Sequence, residues 1–127
     1  MDYSKLNDFE INKLVAHALG NVQVNQVHDE IGSSAVQYTV FKYSGLNREG
    51  FISVSPCTVT KDFCNNPADA WSIIENRKIS LLFNSIDWSV WHGDFPDVET
   101  SHENPLRAAM IVFLMMQDLA NVQDNPA

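Results

Sequence analysis

The first part of the chain carries apolar residues at helical spacing over residues 8–19, which predicts a surface helix with one buried stripe. That stripe consists of Ile11, Leu14, Val15 and Ala18. Asn7 stands at the N-cap position with Glu10 three residues later, an arrangement typical of a capping box. Gly20 is placed to end the helix in a left-handed conformation.

The pattern then changes to segments rich in β-branched and aromatic residues, separated by turn-forming residues. There are four such segments: Val22 to Val27, Ala35 to Tyr43, Phe51 to Val54 and Thr58 to Phe63. They predict strands, and an antiparallel meander is the simplest arrangement of them. Pro56 has no backbone N–H to donate, so we expect it to interrupt the meander at a strand edge or in a turn.

Two Asn-Pro pairs mark further helix starts, because Asn accepts from the free amides of a first turn and Pro supplies a suitable φ. The first pair, Asn66-Pro67, predicts a helix that runs to about Asn76. The second pair, Asn104-Pro105, predicts a helix that runs to about Ala120.

Between these two helices the pattern predicts a β-hairpin followed by a loop. Ile79 to Phe83 and Trp88 to Trp91 are apolar strands, and Asn84-Ser85-Ile86-Asp87 is the turn between them. Gly93 to Glu103 is polar and acidic, which predicts a loop. Any disorder is expected in that loop or in Gln123 to Ala127.

The last helix contains an uninterrupted apolar run from Ala108 to Met116. The run is too short for a membrane span and too uniform for a helix with an exposed face. We therefore expect the helix to be covered on most sides, most simply by packing inside its own domain. The alternative is a homodimer through Leu106 to Met116, in which two copies bury part of the run.

Length and charge limit the classes of function. The 127 residues suit a single domain, 1–127, whose core needs no metal or disulfide. The N-terminal residues lack a signal-peptide pattern, which indicates a cytoplasmic protein. A formal charge of −8 opposes direct binding of DNA or RNA, since phosphates require Lys and Arg. The acidic side chains favour a solvated surface, with mimicry of a nucleic-acid backbone as the sharper alternative.

Cysteine and histidine spacing predicts neither a metal site nor a cofactor. Cys57 and Cys64 are too few for a disulfide scaffold and lack the second ligand pair that a structural zinc requires. The four histidines are scattered, without a shared helical or strand spacing. Both thiols are therefore expected to be reduced and half-buried.

No residue is predicted to be catalytic, but four are candidates for interaction or ligand binding: Arg107, Asp69, Trp71 and Cys64. Arg107 opposes the dipole of its helix, so we expect it to pair with Asp69 or another acid near the second Asn-Pro start, or to bind an anion or ligand. Cys64 precedes a helix N-terminus that could lower its thiol pKa, yet no base is tied to it in sequence. Trp71 is expected in the core or at its rim, because no basic residues are interleaved with the tryptophans.

Three blocks of sequence carry a family resemblance: Asp2-Tyr3-Ser4 with Asp8-Phe9-Glu10-Ile11-Asn12, then Cys64-Asn65-Asn66-Pro67-Ala68-Asp69-Ala70-Trp71 with Ile73-Ile74 and Ile79-Ser80, then Asn104-Pro105-Leu106-Arg107 through Met116. They resemble the NinX-like family of small proteins from lambdoid phages and prophages. The resemblance leaves out Val22 to Lys61, and Ser72 stands where a proline is expected. It implies a phage or prophage origin and a bacterial host cytoplasm, and it implies no reaction.

The whole pattern favours an α+β fold, with a mostly antiparallel sheet packed by about three helices and the C-terminal apolar helix central to the core. We expect a non-enzymatic phage accessory protein that binds a host or phage protein through an acidic or apolar surface. The alternative is a small-ligand-binding protein or hydrolytic enzyme with a pocket near Arg107, Asp69 and Cys64. A third hypothesis is a structural dimer whose role is assembly. Convergence of those three residues on one pocket would favour the second hypothesis.

Overall fold

A computed structural model of the chain describes residues 2–19, 28–29 and 34–124. After a single 3₁₀ turn (Tyr3–Lys5), the elements in chain order are α1 (Asp8–Ala18), β1 (His28–Asp29), β2 (Val36–Leu46), β3 (Ile52–Lys61), α2 (Pro67–Asn76), β4 (Ile79–Phe83), β5 (Trp88–His92), β6 (Phe95–His102) and α3 (Pro105–Asp124). These helices and antiparallel strands confirm the predicted α+β fold. The strands form two three-stranded sheets, β1-β2-β3 and β4-β5-β6, rather than one, with α2 between them in the chain.

Asparagine caps begin all three α-helices, as the sequence predicts. Asn7 accepts a hydrogen bond from the third amide of α1 at 2.8 Å. Asn66 and Asn104 do the same for the first turns of α2 and α3, each at 3.0 Å. The predicted helix end at Gly20 and the predicted strand Val22 to Val27 lie outside the described residues.

The β2–β3 hairpin is longer and more continuous than expected. Phe51 to Val54 and Thr58 to Phe63 were predicted as separate strands, but β3 runs through both and pairs Pro56 with Phe41. The prediction that Pro56 interrupts the meander is therefore wrong. Because β3 is an edge strand, a residue without an N–H can stand in it without breaking the ladder to β2.

Strand β6 occupies most of the segment predicted to be a loop, Gly93 to Glu103. Its Val98 is buried, while its neighbours Asp97 and Glu99 are exposed. This alternation of buried and exposed residues is that of a strand with one face on the core. The exposed acids made the segment resemble a loop, so that prediction, and the disorder expected with it, is corrected.

Helix α3 is central to the core, as expected. Ala108 through Leu114 are all buried, and the helix packs against α1, α2, β4, β5 and β6 of the same chain. α3 continues to Asp124, past the expected end at Ala120 and into the segment where disorder was expected. No helix in the described part of the chain is long and apolar enough to cross a membrane.

The alternative of a homodimer through Leu106 to Met116 stays a prediction. Four large apolar residues in the described part of α3 are partly buried against the core: Leu106, Met115, Met116 and Leu119. The fully buried part of the run, Ala108 to Leu114, is enclosed within a single copy.

Candidate functional site

Arg107 is buried at the start of α3, with 8% of the residue exposed, and its guanidinium donates three hydrogen bonds within the fold. Its Nη1 donates to Asp8 Oδ1 at 2.6 Å. Its Nη2 donates to the backbone oxygens of Leu6 at 2.6 Å and Ser4 at 3.3 Å. The expected structural pair is therefore made with another acid, Asp8, and the pairing with Asp69 is wrong. The fold brings the first turn of α1, not that of α2, to this cation.

The Arg107–Asp8 pair belongs to a larger hydrogen-bonded cluster, which we call the polar junction. Its members are Asp8, Asn12, Ser34, Asp62, Asn65, Asn104 and Arg107. Asn65 Nδ2 donates to Asp8 Oδ2 at 3.1 Å and lies within 3.3 Å of both Asp62 carboxylate oxygens. The fully buried Asn12 donates to Asp62 Oδ1 at 2.8 Å. The polar junction thus connects the N-terminal halves of α1 and α3 with the segment that precedes α2.

Cys64 lies against the polar junction and is completely buried. Its N–H donates to Asn12 Oδ1 at 3.0 Å, and its carbonyl accepts from Asn104 Nδ2 at 2.7 Å. Burial raises the pKa of the Cys64 thiol, and the nearby carboxylates of Asp8 and Asp62 raise it further, against the opposing effect of Arg107. The suggestion of a lowered pKa is therefore wrong, and the thiol is a structural group.

Asp69 lies in a different environment, beside β3. Its carboxylate accepts from the Asp62 amide at 2.9 Å and lies 3.5 Å from Lys61 Nζ. It lines a half-open cavity of about 340 Å³ formed by Leu19, Tyr38, Lys61, Phe63, Ala68, Asp69, Ser72, Ile73, Asn76 and Arg77. Burial, together with the Asp69 charge, raises the pKa of Tyr38 in this wall. Neither Arg107 nor Cys64 lines this cavity, so the three candidates do not share it.

Trp71, the fourth candidate, is exposed on α2, with 59% of its surface accessible. The expectation that it belongs to the core or its rim is therefore wrong. The inward side of α2 is formed by Ala70, Ile73 and Ile74, as the spacing indicated. Its position leaves the Trp71 indole available for contact with another molecule.

A surface that the sequence analysis did not identify lies on the β2–β3 hairpin. Three cross-strand pairs that follow one another on one side of the hairpin join apolar residues: Phe41 with Pro56, Tyr43 with Val54, and Leu46 with Ile52. Directly paired residues of antiparallel strands share a face of the sheet. We call these six side chains the outer face. Exposed fractions range from 49% at Phe41 to 72% at Ile52, and Pro56 is exposed as well.

The other face of the hairpin changes character along its length. Near the base it carries Val36 and Tyr38, which are buried in the core. Farther out the same side carries Lys42, Ser53 and Ser55, as the alternation of strand residues requires. The distal part of the hairpin is therefore amphipathic, but its apolar side is the one turned away from the core, whereas at the base of the hairpin the apolar side faces the core.

A β-bulge at Ser44 keeps the outer face continuous. Tyr43 and Leu46 are three positions apart and would alternate to opposite faces in a regular strand. The register shifts between Tyr43 and Gly45, so that Leu46 pairs with Ile52 on the side of Val54. Gly45 has a φ of +113°, a conformation that glycine adopts readily.

Comparison with known proteins identifies the family of the chain. A family model described as "Bacteriophage P22, NinX" matches residues 2–117. The chain belongs to this phage family. The match to NinX includes the polar junction and the outer face, and so extends across Val22 to Lys61, which the resemblance in sequence did not cover. No curated protein and no solved structure matches the chain.

Proposed function

We propose that this phage protein is a non-enzymatic interaction module of the host cytoplasm, which binds a host or phage protein through the outer face. The observation that carries the proposal is the set of six adjacent apolar side chains exposed on one side of the hairpin. A contiguous apolar patch of several hundred Å² is typical of a binding surface, because leaving it in water is unfavourable.

The composition of the outer face favours a protein over a nucleic acid as its partner. Its six side chains are uncharged, and Lys42 lies on the opposite side of the hairpin. A surface for single-stranded nucleic acid would combine aromatic residues with cations on the same side. Aromatic and aliphatic residues without charges are instead typical of the centre of a protein interface.

The acidic surface contributes to the encounter rather than to the contact itself. Asp97, Glu99 and Glu103 are exposed at alternate positions along and just beyond the edge strand β6. Together with the charge of −8, they accelerate the approach of a basic protein at low salt and slow that of an acidic one, a second copy of this chain included.

The alternative, a small-ligand or hydrolytic role, depended on a shared pocket for Arg107, Asp69 and Cys64. Asp69 lines a cavity that neither of the other two reaches, and Cys64 is a buried thiol with a raised pKa. Arg107 and Cys64 lie together at the polar junction, where both are buried, and Asp69 lies apart from them beside β3. This arrangement supports the interaction module over a pocket shared by all three residues.

Affinity capture from infected host cells tests the proposal, with Val54→Asp and Ser55→Asp as a matched pair of baits. These adjacent β3 residues are both exposed but face opposite sides of the hairpin. We expect the wild-type chain and Ser55→Asp to retain the same protein, and Val54→Asp to lose it, because a charge on the outer face must be desolvated on binding. Equal capture by all three baits, or capture of a metabolite alone, would refute the proposal.

A further inference from the structure

We propose that the occupant of the outer face is a second copy of this chain, bound through the same face in a two-fold symmetric dimer. The inference rests on the proposed function in one respect, namely that the outer face binds protein. In a two-fold contact each residue of the patch meets the same patch on the partner, so the patch must be complementary to itself.

The distribution of charge makes the outer face self-complementary. The six side chains carry no charge, so two copies of the patch do not repel each other. Residues 35–61 hold three of the eight basic side chains and only one of the sixteen acidic ones. Contact through the hairpins therefore keeps the two acidic bodies apart, whereas contact through the rest of the chain, which holds fifteen of the sixteen acidic side chains, brings two strongly acidic surfaces closer together.

The area of the patch is close to what a stable dimer needs. Each side chain offers about 100 Å² of uncovered surface, so the outer face offers roughly 600 Å² per copy. A standard interface buries about 800 Å² on each partner. Phe51, which is 66% exposed in the turn, and the paired Thr39 and Thr58 at the base of the outer face supply the remainder.

The geometry of the hairpin favours contact between faces over contact between edges. β3 is the outer strand of its sheet and carries Pro56, whose missing N–H hinders the addition of another strand along that edge. Two apolar faces can instead stack about 10 Å apart, as in a β-sandwich. Such stacking also stabilises the distal hairpin, since two strands alone are only marginally stable in water.

Sedimentation equilibrium of the purified full chain at micromolar concentration tests the dimer. We expect the wild-type chain to approach twice its mass of 14.3 kDa. Val54→Asp should weaken self-association at least about tenfold, and Ser55→Asp should leave it unchanged. A variant that loses its circular dichroism spectrum is replaced by Tyr43→Ser on the outer face.

The outcomes separate this inference from the proposed function. A wild-type chain that stays monomeric at these concentrations, or a dimer that Val54→Asp and Tyr43→Ser both leave intact, would overturn the inference. A monomer whose outer face still captures another protein from infected cells would overturn the dimer and leave the proposed function standing. A monomer that captures nothing would overturn both.

Discussion

Arg107 and Asp8 lie 99 positions apart in the chain and form an ion pair with 2.6 Å between Nη1 and Oδ1. Each stands in the first turn of a helix, Asp8 in α1 and Arg107 in α3. The positive end of a helix dipole favours the carboxylate and disfavours the guanidinium. The Arg107 cation is therefore destabilised by the dipole of its own helix, α3, and the Asp8 carboxylate compensates for this.

Arg107→Ala should destabilise the fold by about 3 kcal/mol, because it removes the charge that compensates Asp8 and leaves Asp8 Oδ1 and two backbone oxygens without this donor. Arg107→Lys should restore only part of the loss, since an ammonium cannot reproduce the fork of the guanidinium. Urea denaturation measures both variants, with Arg48→Ala in the exposed β2–β3 turn as the control. An unchanged midpoint for Arg107→Ala would contradict the structural pairing and favour a ligand role.

Asn12→Ala should cost about 2 kcal/mol, although it removes only a small polar group. Asn12 is fully buried and contacts the Ser34 carbonyl, the Asp62 carboxylate and the Cys64 amide. Its loss removes the side-chain partner of the Ser34 carbonyl and of the Cys64 amide, and one of several donors to the Asp62 carboxylate. Lys13→Ala, one position along α1 and exposed, should stay within about 0.5 kcal/mol of wild type. Equal denaturation midpoints for the two variants would show that the polar junction contributes little.

Thiol titration should distinguish the two cysteines. Cys64 is buried with a raised pKa, so it should be unreactive in the folded protein, whereas Cys57 is only half-buried. In a Cys57→Ser variant, Ellman's reagent should react only when denaturant is added. Rapid reaction of the folded variant would contradict the burial of Cys64.

Elemental analysis of the purified protein should find no stoichiometric zinc.

Stability should fall in alkaline solution because of Tyr3. Its phenol donates to the Asp118 carboxylate, and burial followed by that hydrogen bond raises its pKa above the ordinary value of 10.0. A raised pKa in the folded state contributes stability that is present below pH 10.0 and is lost as the pH rises above it. Tyr3→Phe should therefore lose stability at neutral pH and show a shallower alkaline decline than the exposed Tyr43→Phe. Identical alkaline profiles would exclude this contribution.

Features fixed by neighbouring residues could be predicted from the sequence. The cap at Asn66 and the helix it begins have the bounds that the Asn-Pro pair indicates. The turn between β4 and β5 closes with Asn84 N–H donating to the Asp87 carbonyl at 3.0 Å. In each case the capping or turn-forming group lies within a few residues of the amide it satisfies.

Features that depend on distant pairing could not be predicted. The sequence offers several acids for Arg107, and only the packing of α1 against α3 selects Asp8. The acidic residues of β6 concealed a strand, because its single buried position at Val98 is weak evidence without the partner β5. The wrong partner for Arg107 and the missed strand β6 have one cause, since contacts between distant parts of the chain determine both.

The outer face left a partial signal in the sequence. Strand β2 is apolar on both sides: one side carries Val36, Tyr38 and Val40, and the other carries Phe41 and Tyr43. A strand with two apolar sides is usually buried on both. Only the structure shows that the second side lies beyond the core, and only the bulge at Ser44 extends that side to Leu46.

Site-specific photocrosslinking in infected cells tests the central claim most directly. A photoreactive phenylalanine analogue is placed at Val54 on the outer face or at Ser55 on the opposite side of the same strand. If the outer face binds protein, irradiation should give a discrete protein adduct from position 54 and little or none from position 55. The absence of an adduct at position 54, or equal adducts from both positions, would contradict the account.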